Sequence, residues 1–130
     1  MTEIMQMKRA LSLTATLLVF TTLVMAEELR PEPTQNPNAP FRLFNTKNIY
    51  TLLKLDTRDG RVWQLQWGDS EHRLVVAINA KALTPGGKPG RYTLYPTSNI
   101  FTFMLLDQET GESWQVQWSM KEDRFVVPIE

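Results

Sequence analysis

Four tryptophans and four glutamines stand in two matching frames, Trp63-Gln64-Leu65-Gln66-Trp67 and Trp114-Gln115-Val116-Gln117-Trp118. Indole rings stack on flat apolar surfaces such as sugar rings, and primary amides both donate to and accept from hydroxyls. These eight residues are therefore the chain's ligand-binding candidates. The competing reading makes all four tryptophans core and all four glutamines a solvated face. It is the expectation adopted, because Leu65 and Val116 share the tryptophans' side of a period-two pattern. Other chemistry is thin. His72 is the only histidine, its counterpart in the second frame is Asp123, and it lies in a polar loop, Gly68-Asp-Ser-Glu-His72, where a solvated residue is expected. Asp56 and Asp107 each open a five-residue turn ending in glycine, which predicts turn capping; calcium needs six or more oxygens, and these turns lack alternating carboxylates. Ser70 and Ser113 have no Gly-x-Ser-x-Gly context. The absence of cysteine removes thiol catalysis, disulfides and Cys-ligated zinc, and one histidine cannot make a His-rich metal site. No catalytic residue, metal or cofactor is expected, and the chain reads as non-enzymatic.

Those frames belong to a larger duplication. Laying 41–78 over 92–129, at a constant offset of 51, matches 17 of 38 positions without a gap. Between the copies, 79–91 includes Thr84-Pro-Gly-Gly-Lys-Pro-Gly90, a turn-rich linker. Each copy reads as four short strands separated by turn signals, eight strands in all, and the part from Phe41 onward has no 3.6-residue apolar stripe. The predicted fold is all-β: two tandem four-stranded antiparallel units packed with pseudo-twofold symmetry as a small barrel or sandwich. The strand holding Phe101–Leu106 is apolar on both sides, as expected where sheets pack; in the first copy one of those sides runs Tyr50, Leu52, Lys54 and is wetter.

At the Leu-Asp-x-x-x-Gly-x-x-Trp-Gln-x-Gln-Trp segment the chain resembles a group of small secreted proteins of gut Bacteroidetes built from tandem repeats of this kind. Tyr95-Pro96-Thr97, Asn99 and Leu106–Ser119 carry the resemblance, while the first copy departs at Asn45 for Pro and Asp59 for Thr. It covers Phe41 to Glu130 and implies export and a duplicated β architecture rather than an activity.

The N-terminal end agrees with export. Lys8 and Arg9 precede an uncharged run of 17 residues from Ala10 to Ala26. This is the pattern of a signal peptide over 1–26, with cleavage after Ala26 at a Val-Met-Ala site. The competing reading, an uncleaved anchor, is disfavoured by the run's shortness and its five Thr and Ser. Residues 27–40, with four prolines and little apolar content, read as a flexible spacer. The expected location is periplasmic or extracellular.

Fourteen basic and fourteen acidic residues give zero net charge, which argues against nucleic acid as a partner. The charge is unevenly divided. Copy one holds six basic and four acidic residues, net +2, and copy two holds two basic and five acidic, net −3. The expected partner is a protein or a glycan, with no membrane attachment after cleavage, in a protein that is a monomer or self-associates head to tail. The expected function is an exported interaction or structural module. The alternative is a glycan or small-ligand binder using the Trp and Gln faces.

Overall fold

The computed structural model describes residues 34–130; the expected signal peptide, its cleavage point and most of the spacer lie outside them. The described residues are all-β. The first sheet is a meander of β1 (Phe41–Asn45), β2 (Thr51–Asp56), β3 (Val62–Gln66) and β4 (Leu74–Asn79). The second repeats it as β5 (Tyr92–Pro96), β6 (Thr102–Asp107), β7 (Ser113–Gln117) and β8 (Phe125–Pro128). Every pairing within each sheet is antiparallel. The residues shared between the copies explain themselves at the turns. Thr46 Oγ1 donates to Thr51 O at 2.8 Å, and Asn48 Oδ1 accepts from Tyr50 N at 2.9 Å. Thr97 and Asn99 make the same two bonds, 2.8 Å to Thr102 O and 2.9 Å from Phe101 N. Short polar side chains thus hold the chain at its first reversal in both copies.

The second reversal is capped by aspartate, as the turn pattern predicts. Asp56 Oδ1 accepts from Arg58 N at 3.0 Å, and Asp107 Oδ1 accepts from Glu109 N at 3.0 Å. Both carboxylates are buried and neutralised by arginine from different places: Arg58 and Arg61 in the first turn, Arg91 from the end of the linker in the second.

The two sheets share one core, but they do not use equivalent faces. In the first sheet the buried side carries Leu53, Leu55, Val62 and Gln64, paired across β2 and β3 as Leu53 with Gln64 and Leu55 with Val62. In the second sheet it carries Phe103, Leu105 and Val116, with Trp118 just beyond β7. The counterparts of Phe103, Leu105 and Val116 are Leu52, Lys54 and Leu65, which lie on the other side of the first sheet. A twofold axis would give equivalent residues equivalent burial, so the expected pseudo-twofold arrangement is corrected to face-to-back packing. Two differences between the copies account for it. Lys54 stands where the second copy has Leu105, so that side of the first sheet offers the core an ammonium where the second sheet offers a leucine. Ser113 stands where the first copy has Val62, which weakens the corresponding side of the second sheet.

The linker closes one end of this core. Leu83 N donates to Asp59 O at 2.7 Å and its side chain packs against the core beside Gly60. The folded unit also begins earlier than Phe41. The Gln35 amide donates to Leu43 O at 2.9 Å and accepts from Leu43 N at 2.7 Å, and Thr57 N donates to Pro40 O at 2.7 Å. The end of the expected spacer is thereby fastened to the domain, and the open edge of β1 is covered at Leu43.

Candidate functional site

Because the packing is face to back, the tryptophan row is core in one copy and surface in the other. Trp67 and Trp118 are built identically. Each backbone N–H donates to the residue seventeen positions earlier, Tyr50 O and Phe101 O, both at 3.0 Å. Each indole Nε1 donates to the preceding carbonyl, Ile49 O at 2.9 Å and Ile100 O at 2.8 Å. Each ring leans on an aromatic neighbour, Tyr50 at 5.0 Å and Phe101 at 4.9 Å between centroids. Yet Trp118 is 0% exposed and Trp67 is 55% exposed. Trp63 and Trp114 are half-buried. Trp114 lies 6.1 Å from Tyr92 and packs against the core, whereas Trp63 lies 6.3 Å from Phe41 under Lys54 and Arg61, 4.8 and 5.2 Å from its ring. Cations over an indole are favourable and keep this side of the first sheet wetted.

The glutamines divide as well. Gln64 is fully buried between the sheets. Its Nε2 donates to Ser119 O at 3.0 Å, and its Oε1 accepts from Arg124 Nε at 2.8 Å and from Ser119 N at 3.3 Å. Gln66, Gln115 and Gln117 are half-buried. The expectation of four core tryptophans over four solvated glutamines is therefore corrected at both ends: Trp67 is surface and Gln64 is core. Trp118 and Gln64 also leave the ligand-binding set, since no ligand reaches a side chain enclosed on all sides. Gln64 carried a faint sequence signal, because it pairs across strands with Leu53 on the apolar side of β2.

Trp67 remains the centre of an aromatic cleft that it shares with one other candidate, Gln66. Tyr50, Gln66, Trp67, Gly68, Asp69, His72 and Met120 line about 390 Å³. His72 is exposed, as expected, and its Nδ1 pairs with Asp69 Oδ1. Asp69 in turn accepts from the backbone N–H of Glu71 and His72, so the loop is a self-contained turn that holds both side chains at the rim of the cleft. The two buried aspartates are occupied with capping and with arginine. Burial pushes the Asp107 carboxyl up, but hydrogen bonds from Arg91 and from Glu109 and Thr110 outweigh it and hold the pKa at about 2. Asp56 is lowered as well, where Arg58 and Arg61 outweigh burial. Neither has a free lone pair directed at a ligand site.

Compared with protein families, with curated proteins and with solved structures, the chain matches none.

Proposed function

We propose that the chain is an exported interaction or structural module without catalytic chemistry, and that its working surface is the outer side of the first sheet. One observation carries this reading. Phe41, Trp67 and Val75 are 47%, 55% and 67% exposed, while their counterparts Tyr92, Trp118 and Val126 lie in or against the core. Large aromatic and aliphatic side chains left open on one side of a folded sheet mark an interaction site. Export rests on Lys8-Arg9 followed by the uncharged run to Ala26, and on the resemblance to secreted repeat proteins. The intact mass of the secreted protein tests it: the chain should begin at Glu27, and recovery of the full-length chain in membranes overturns it.

A second reading, a glycan or small-ligand site, is favoured by the cleft at Trp67. Two adjacent aromatic rings, Tyr50 and Trp67, stand there beside the polar groups of Gln66, Asp69 and His72. Titrating a glycan panel while following tryptophan emission tests it. A saturable shift that disappears in Trp67→Ala supports the sugar site, and a flat response to every glycan leaves the outer side of the first sheet to a protein partner.

A further inference from the structure

We infer that the partner for this surface is a second copy of the chain, joined head to tail: the outer side of the first sheet of one molecule seats on the outer side of the second sheet of the next. The inference deepens the reading of the first sheet as an interaction surface and rests on it. Duplication gives each sheet the same two sides, and each sheet buries only one. The side the first sheet leaves open, with Phe41, Trp63, Leu65 and Trp67, is the counterpart of the side the second sheet buries with Tyr92, Trp114, Val116 and Trp118. The side the second sheet leaves open, with Tyr95, Met104 and Leu106, is the counterpart of the side the first buries with Phe44, Leu53 and Leu55. Two molecules can therefore meet through the same pairing of sides that already holds one molecule together. Because the two open sides differ, the contact is heterologous, each molecule keeps one of each, and addition proceeds to a ring or a filament.

The polar contact at the centre of the internal interface can be repeated too. Within the chain the Gln64 amide grips the backbone N–H and C=O of Ser119 and the Arg124 guanidinium. The counterparts of those three residues are Gln115, Gly68 and Arg73. All three stand outside the core, Gln115 on the open side of the second sheet and Gly68 and Arg73 exposed beyond β3. Since the grip on Ser119 is to its backbone, glycine serves equally well at 68. In the joint between molecules, Gln115 of one would hold the Gly68 backbone and Arg73 of the next. Net charges of +2 on the first copy and −3 on the second also oppose each other across such a joint. Lys54, which stands where the internal interface has Leu105, lies over the Phe41 and Trp63 rings, 5.8 and 4.8 Å from their centroids, so its ammonium has partners on this side.

Sedimentation velocity on the secreted chain tests this with two variants at side chains that are more than half exposed, so the fold is spared: Trp67→Arg blocks the open side of the first sheet, and Tyr95→Arg that of the second. The wild-type chain should sediment faster as concentration rises. Each variant alone should remain monomeric, and an equimolar mixture should give heterodimers and nothing larger. Near-ultraviolet circular dichroism from the buried Trp118 reports that each variant is folded. A wild-type chain that stays monomeric up to millimolar concentration overturns the inference, as does a Tyr95→Arg variant that associates like wild type, which would mean a symmetric contact. Tyr95→Arg leaves the Trp67 cleft untouched, so a glycan or other protein that binds this variant while the wild type stays monomeric preserves the interaction surface and removes only the self-association.

Discussion

Trp67 and Trp118 have equivalent hydrogen bonds, an aromatic neighbour at the equivalent position and the same place after the third strand of their copies, yet one is surface and the other is core. The difference separates two levels of specification. Local sequence sets the strand, its turn and the orientation of the ring relative to its own sheet. Burial is set one level higher, by which side of each sheet meets the other. The two copies therefore form a controlled pair in which substitutions at equivalent positions isolate the tertiary contribution. The largest contrast is expected at these tryptophans. Trp118→Ala should cost about 3–5 kcal/mol through the cavity it leaves, a large share of the ordinary stability of a domain. Trp67→Ala should cost about 1–2 kcal/mol, the worth of its contact with Tyr50 and of its bond to Ile49 O. Urea denaturation of both variants checks this, and equal costs would mean that the two rings share one environment.

The strand pattern, the turn residues and the duplication were all legible in the sequence because each is a local property. Gly60 and Gly111, Asp56 and Asp107, and the Thr and Asn of the first reversal fall where backbone geometry demands them. The relation between the copies was not legible, because both sides of the repeat are apolar enough to be buried: Leu53 and Leu55 on one, Trp63, Leu65 and Trp67 on the other. Sequence identity between the copies suggests equal environments and hence a twofold axis. The residues that break the equality are few, and Lys54 opposite Leu105 was the clearest. It marks the wet side of the first sheet, and following that mark would have placed Trp63 and Trp67 outside and Gln64 inside.

Gln64 and Gln115 give the next contrast. Gln64→Ala removes the partner of the Ser119 backbone groups and of Arg124 inside the interface, and should cost about 2–3 kcal/mol. Gln115→Ala should lie within about 0.5 kcal/mol of wild type in the monomer, as surface substitutions do. If molecules join head to tail as inferred, Gln115→Ala should instead weaken association, so measuring melting and sedimentation on the same variant sharpens the comparison.

The capping aspartates extend it to pH. A carboxyl held at about 2 in the folded chain, against its ordinary value of 3.8, favours the folded state wherever it is ionised. Asp107 therefore contributes about 2 kcal/mol that is fully present above roughly pH 4 and is lost as the pH falls from there toward 2. Arg91→Ala should flatten this acid slope, since Arg91 supplies the strongest lowering bond to Asp107, while leaving the Asp56 turn with its own two arginines. Urea midpoints measured from pH 5 to pH 2 check this, and an unchanged slope would assign the acid sensitivity to the first turn instead.

The smallest contrast lies at the ends of those same turns. Gly60 and Gly111 both hold left-handed backbone, with φ of 81° and 80°. Alanine at Gly111 meets nothing within 4 Å, so its cost should be the conformational penalty alone, about 1 kcal/mol. Alanine at Gly60 carries the same penalty and also brings its Cβ to 2.8 Å from Leu83 Cδ1 and 3.2 Å from Tyr92 Cε1. The linker crosses the first turn, where Leu83 packs beside Gly60, so overpacking there should add roughly 1 kcal/mol more. Shortening Leu83 to alanine should return most of that increment in the double variant, because the close atom is the end of the leucine side chain. If the two glycine variants melt together, the linker does not bear on the first turn, and the difference between the copies there is one of sequence alone.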